Sequence, residues 1–268
     1  TGGAIVAKKS CWYLLAQEWI NDKWHYVKKA KLSKQIHLNQ NGLAQLLEQH
    51  DASHAEETLG VFLAPDGNLI QQKNKLLKKA TEFGHQMKTH KLDRAVAWHA
   101  FKTTILKTLQ YPMAAIDLSK KDWEEIMSPI LCNVLPKSGF NRNFPRMSIY
   151  FSAMDIGLDV IHPWHEQYLI QLKELIEHSR LENITGKEIR STSELIRLEA
   201  GNTGSFSDIK WSTAKHYITN SWIKSLFIYL HSQQIKLTDT IPQLTGFRQR
   251  DTAIMDHINP STLSVIQT

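Results

Sequence analysis

Histidines, cysteines and paired carboxylates are where chemistry would have to begin in this chain. It has 13 histidines, and two pairs stand out. His50 and His54 are four apart with Asp51 and Glu56 near, and His162 and His165 flank Pro163-Trp164. Four-apart histidines share a helix face, but a zinc site needs three or four ligands, and no third and fourth appear at a recognisable spacing. The 2 cysteines, Cys11 and Cys132, make neither a disulfide framework nor a metal spacing. No metal ligand is expected from these residues. The acids cluster as Glu56-Glu57, Asp122 with Glu124-Glu125, and Asp155 with Asp159, on polar or loop-like stretches. Two-metal phosphoryl transfer needs acids on rigid strands around ions about 3.5–4 Å apart, and the chain has no Asp-Asp dipeptide. HExxH, Gly-x-Ser-x-Gly, P-loop and GxGxxG motifs are absent, and Gly201-Asn-Thr-Gly204 reads as a loop. An unrelated metal-dependent enzyme built on the scattered histidines is therefore disfavoured.

Charge is the second chemical signal. The net charge is +6, and its distribution is uneven. From Lys73 to Lys107 there are nine Lys/Arg against two acids, Glu82 and Asp93, whereas from Asp155 to Asp208 acids outnumber bases. A local basic field is the electrostatic footprint of a polyanion; the plain alternative is a solvated helix face.

The elements that must carry these residues change character along the chain. "CWYLLAQEWI" and "KWHYVKKA" are aromatic and β-branched runs joined by Asn21-Asp22, a hairpin signal. "KQIHLNQNG" gives a third extended piece, residues 42–50 suit a short helix, and "TLGVFLA" gives a fourth extended piece closed by Pro65 and Asp66-Gly67. Beyond Gly67 the period becomes helical. Ile70, Leu76, Leu77, Ala80, Phe83, Gly84 and Met87 share one side, and at about 100° per residue Lys75, Lys78 and Lys79 fall opposite it. A second helix from about Asp93 buries Trp98, Phe101, Ile105 and Leu109 against this stripe and stops before Tyr111-Pro112. Ser119 caps a third, running through Trp123, Ile126 and Leu131 to near Pro136. Residues 135–163 read as a loop with short strands. Helices follow from Pro163 to about Leu181, near Lys187–Glu199 and near Ser212–Gln233, and the tail from Thr238 frays.

Length and composition fit two or three globular units. The fold class expected is α+β, mostly α: a small antiparallel β region over 1–68, a helical region over 69–162 and a helical extension over 163–268. No apolar run reaches the roughly 18 residues of a membrane span, the first residues lack a secretory leader pattern, and the cysteine usage suits a reducing compartment. An intracellular protein, cytoplasmic or nuclear, with no membrane partner is the expectation.

Three stretches, taken in order, resemble retroelement reverse transcriptases. "GGAIVAKKSCWYL" (2–14) is similar to the segment after the active-site hairpin of that family, with Lys9 at the family's lysine and Val6-Ala7 where Asn-Pro is usual. "TLGVFLAPDGN" resembles the Leu-Gly hairpin at the end of the palm, the primer grip. Residues 95–160, with Tyr-Pro at 111–112, "LPKSG" at 135–139 and Ile156-Gly157-Leu158 where the family has a Gly-Leu turn, resemble the helical region beyond it. The likeness covers roughly 1–165, with a fainter echo in "RDTAIMDHI" (250–258).

The resemblance implies a palm end, a thumb and a helical extension. Leu59, Gly60 and Val61 would support the primer terminus. Lys75, Lys78, Lys79, Lys88, Lys91, Arg94 and Lys102 would meet the phosphates of an RNA–DNA or DNA duplex without reading sequence. Lys9 would stand near the incoming nucleotide as a general acid; its plain alternative is a surface lysine before a strand. In the family the metal-binding aspartates precede the point where Thr1 stands. The expectation is therefore a fragment, inactive alone, with the palm and fingers of the same polymerase as missing partners. It holds no cofactor of its own, and Mg²⁺ belongs only to the complete polymerase. The rival expectation is a helical protein-interaction scaffold with no nucleic-acid role.

Overall fold

A computed structural model describes residues 10–237, apart from 22, 32–33, 41–42, 203–205 and 207–208. Lys9, the 250–258 echo and the tail expected to fray from Thr238 lie outside the described residues.

The N-terminal part is a set of two-stranded ladders. β1 (Cys11–Tyr13) pairs in parallel with β6 (Glu48–His50). β2 (Gln17–Ile20) pairs antiparallel with β3 (Lys23–Tyr26), closing through Ile20↔Lys23 with Asn21 at φ 49°, as the Asn-Asp signal predicts. β4 (His37–Gln40) pairs with β5 (Leu43–Leu46), and β7 (Glu56–Thr58) with β8 (Val61–Leu63). Of residues 42–50, the described ones form β5 and β6 and are not helical. Their leucines and glutamines are good helix formers, but β4 on one side and β1 on the other supply the backbone partners, and tertiary pairing overrides the propensity.

The helical part begins where Pro65-Asp66-Gly67 ends the last strand. Gly67 at φ 78° donates to the Ala64 carbonyl. Asn68 then offers its Oδ1 to the Ile70 amide, 2.9 Å away, and starts α1 (Ile70–Thr89). A continuous helix follows as α2 (Arg94–Ala100), a π-helical turn (Phe101–Ile105) and α3 (Leu106–Gln110). α4 (Lys120–Lys137) opens with a full capping box between Ser119 and Asp122. Of the stripe expected on α1, Leu76, Ala80, Phe83, Gly84 and Met87 are buried and Leu77 is half-buried, whereas Ile70, in the first turn, is 63 % exposed. The main neighbour of the stripe differs. α1 lies along α4 rather than along α2 and α3, and the two approach so closely at Gly84 that a Cβ there would stand 2.5 Å from the Pro129 carbonyl oxygen. One core joins Leu76, Phe101, Leu109, Trp123, Ile130 and Ile149, each at most 3 % exposed, and reaches back to Val61.

Residues 138–162 contain no strand. α5 (Arg146–Tyr150) and a 3₁₀ turn (Ala153–Asp155) are followed by a return in which Leu158 and Val160 donate to the Ser148 and Ile149 carbonyls. The alternating apolar residues there pack a helix and the chain beside it, which is why they read as strands.

A second core, with Leu175, Ile196, Ile223 and Leu226 at its centre, is built by α6 (Pro163–Ser179), α7 (Ile184–Ala200), α8 (Trp211–Ala214) and α9 (Trp222–Ser232). The single helix expected over Ser212–Gln233 is two, because Ser221 caps α9 by accepting from the Lys224 amide and so offers the backbone an alternative to continuing. α6 is tied to the first core by buried glutamines. Gln167 accepts from the Leu118 amide at 3.0 Å and the Trp123 indole at 2.9 Å, and Gln171 donates to the Ile116 carbonyl at 2.7 Å. The protein is mostly α with short β ladders at its N-terminal side, and no helix among the described residues is long and apolar enough to cross a membrane.

Candidate nucleic-acid interface

The Leu59-Gly60 dipeptide is the two-residue turn of the β7–β8 hairpin. Thr58↔Val61 is the last pair, and Leu59 and Gly60 have φ of 50° and 84°, the double positive φ of a primed hairpin turn. The extended piece read from "TLGVFLA" is therefore the turn and second strand of a hairpin whose first strand is Glu56–Thr58. Its three family-matched residues have different surroundings. Leu59 is 86 % exposed at the tip, Gly60 makes the turn, and Val61 is buried in the first core.

The tip is braced by the helical body. Gln72 of α1, 1 % exposed, accepts from the Phe62 amide at 2.9 Å. The Tyr111 hydroxyl donates to the Leu59 carbonyl at 2.7 Å. Lys75 donates to the Gly60 carbonyl at 2.7 Å, pairs with Glu57 and lies over the Phe62 ring. Lys75 does not point away from the body, as the helical wheel implies. Its long side chain bends to the β7–β8 hairpin, and its ammonium is engaged there.

The basic field divides in the same way. Lys73 is held by Asp122 and Glu125 at 2.6 and 2.8 Å. Lys102 is half-buried over the Trp98 ring, 5.7 Å from its centroid, and Lys107 donates to Gln110. Arg94 is exposed, with its side chain against Gly139. Lys78 reaches Glu82 only at 4.0 Å on the solvent side, and Lys79, Lys88 and Lys91 are exposed with no ion pair among the described residues. Between Lys78 and Lys88 the rise of an α-helix gives about 15 Å, and at about 100° per residue Lys79 and Lys88 leave α1 on opposite sides, with Lys78 between them. The structure thus brings Leu59, Gly60 and Lys75 together, sets Lys78, Lys79 and Lys88 along α1, and leaves Lys91, Arg94 and Lys102 beyond its far end.

The carboxylate pairs have local partners. Glu57 holds Lys75. Asp122 belongs to the α4 cap and to Lys73; burial alone would raise its pKa, and the hydrogen bonds from Lys73 and Ser119 more than offset this and hold it below the usual range. Asp155 and Asp159 are exposed in the turn after α5.

A cleft of about 680 Å³ opens between α4, α5 and the start of α6, with Lys120, Arg146, Tyr150, His162 and His165 on its walls. Burial, with the charges of His165 and Lys120, lowers the His162 pKa to about 4. Its Nδ1 accepts from the Trp164 amide as the cap of α6, and His165 bonds the Tyr229 hydroxyl at 2.8 Å. Both rings are occupied in holding α6. Sequence reasoning missed Gln72, Tyr111, Gln167 and Gln171. A glutamine on an otherwise apolar helix face is the signal that could have found the last two.

Comparisons with family models, curated proteins and solved structures found no match for the chain.

Proposed function

We propose that the chain is the palm-end, thumb and helical-extension part of a retroelement reverse transcriptase, and that it binds primer–template duplex without reading sequence. The observation that carries this reading is the braced hairpin. An exposed leucine tip is fixed by α1 and Tyr111 at the point where β structure gives way to a helix bearing Lys78, Lys79 and Lys88. A primer grip requires that arrangement: a rigid tip for the strand terminus and cations for the phosphates behind it. The turn after α5 adds support. Ile156 stands where the resemblance calls for glycine, and its φ is 62°, a conformation glycine adopts without strain.

On this reading nucleotide addition belongs to the complete polymerase with its Mg²⁺ ions, and Lys9 acts only there. The test has two parts. A photocrosslinking residue in place of Leu59 should attach to the recessed end of an RNA–DNA or DNA duplex in preference to its interior. The chain alone should extend no primer with Mg²⁺ or Mn²⁺. Crosslinks spread evenly along the duplex, or none, would remove the primer-grip assignment. Extension above a no-protein control would show that the chain is not a part lacking its metal-binding acids.

The scaffold reading is favoured by one observation, the engagement of Lys73, Lys75 and Lys102 within the protein. It predicts no duplex binding at low salt.

A further inference from the structure

The N-terminal ladders bring Cys11, remote in sequence, beside three donor-bearing residues that lie close together in the chain. Cys11 is the first residue of β1, His50 the last of β6, His54 lies in the following turn and Glu56 opens β7. Ligand atoms of Cys11, His50 and Glu56 all lie within 4.8 Å of one another. His50 Nε2 and His54 Nε2 both approach Glu56 Oε1, at 3.0 and 3.2 Å, with the two rings stacked 4.1 Å apart. Donors around a tetrahedral zinc, at its usual bond lengths, are separated by about 3.3–3.6 Å; Cys11, His50 and Glu56 stand near that spacing, and His54, outside this close group but against Glu56 and the His50 ring, must turn inward to complete it.

We propose that Cys11, His50, His54 and Glu56 form a structural Zn²⁺ site. The donor set is a thiolate, two imidazoles and a carboxylate, which suits a borderline-soft cation and leaves no open position for catalysis. The surroundings hold the site on one side and leave it open to solvent on the other. The His50 side chain is 13 % exposed and those of His54 and Glu56 are 45 % and 43 % exposed, Ala52 and Ala55 in the same loop are buried, and the Tyr13 hydroxyl holds the His54 carbonyl at 3.2 Å. Behind His50, Glu48 Oε1 lies 3.9 Å from Nδ1, where it would fix the ring tautomer as outer carboxylates do at metal centres. A parallel pair of three residues per strand has little of its own to hold it. A metal joining β1 to β6 and β7 closes the long loop between them, and its binding energy becomes folding energy. The thiol proton is released to solvent as the sulfur–zinc bond forms. This inference stands independently of the duplex-binding reading.

Cobalt reports the site directly. The full chain, stripped with chelator and titrated with Co²⁺, should take up one equivalent, show a thiolate-to-cobalt charge-transfer band, and lose it when Zn²⁺ is added. Cys11→Ser should abolish the band and His54→Ala should weaken binding at least tenfold, whereas Cys132→Ser should change neither. In the unmodified chain, Zn²⁺ should protect Cys11 but not Cys132 from alkylation, a readout that does not depend on any variant folding. Absence of the band in the wild-type chain, its persistence in Cys11→Ser, or equal alkylation of Cys11 with and without Zn²⁺ would overturn the proposal.

Discussion

Ile156 is a β-branched residue in the left-handed region, at φ 62° and ψ 25°, and its side chain is 91 % exposed, so no packing compensates the strain. The left-handed conformation costs an L-residue about 1–2 kcal/mol, and glycine returns about 0.4–1 kcal/mol of that through the freedom of its unfolded chain. Ile156→Gly is therefore expected to stabilise the protein by roughly 0.5–1 kcal/mol, read as a higher urea midpoint at unchanged slope. His162 sets a pH dependence. Burial, and then the charges of His165 and Lys120, lower its pKa from 6.5 to about 4, so the folded state refuses a proton that the unfolded chain accepts. Stability from this residue is complete above about pH 6.5, falls as pH drops from there to 4, and levels off below. His162→Asn keeps a capping acceptor and should flatten that stretch of the stability profile, which equilibrium unfolding at a series of pH values would measure. At this scale the sequence was legible where a residue has one local job: Ser119 as a cap, Asn21 and Gly67 in turns. It was not legible where a side chain reaches across the fold, as Lys75 does to the Gly60 carbonyl and Cys11 does to His50.

Among the elements, the contact of α1 with α4 decides the shape of the helical body. Gly84→Ala would gain helix propensity of about 1 kcal/mol, but its methyl would stand 2.5 Å from the carbonyl of Pro129. That oxygen belongs to the α4 backbone and is held by the Asn133 amide, so it cannot swing aside and the two helices must part. Overpacking of this kind costs roughly 1–3 kcal/mol, so set against the helix gain the net change expected is a loss of up to about 2 kcal/mol, read as a lower denaturation midpoint. The periodicity of α1, α2, α4 and α6 was plain because each buries one continuous stripe. Which stripe meets which was not, since α1 and α2 each present an apolar face and both pack on α4, while α3 meets α6. Residues 43–50 and 212–233 differ from expectation for the opposite reason. Their local preference is helical, and a neighbouring strand in one case and the Ser221 cap in the other decide the outcome.

For the whole molecule, the basic field read from composition is smaller in the folded chain. Lys73, Lys75 and Lys102 are committed to Asp122 and Glu125, to the hairpin, and to Trp98, which leaves Lys78, Lys79, Lys88, Lys91 and Arg94 facing solvent, and Lys107 exposed but bonded to Gln110. On the proposed reading these cations hold a duplex behind the Leu59 tip. Lys75 must be left in place in any test, because its loss would loosen the hairpin itself. The direct measurement is duplex affinity over a salt series for the wild-type chain and for a triple variant, Lys78→Gln, Lys79→Gln and Lys88→Gln. With about four phosphate contacts, log K should fall against log salt with a slope near −3.6 for B-form DNA, indifferent to sequence. The triple variant should flatten that slope by up to about 2.7 with an unchanged unfolding midpoint. No binding at low salt, or a slope that the triple variant leaves as it was, would contradict the account.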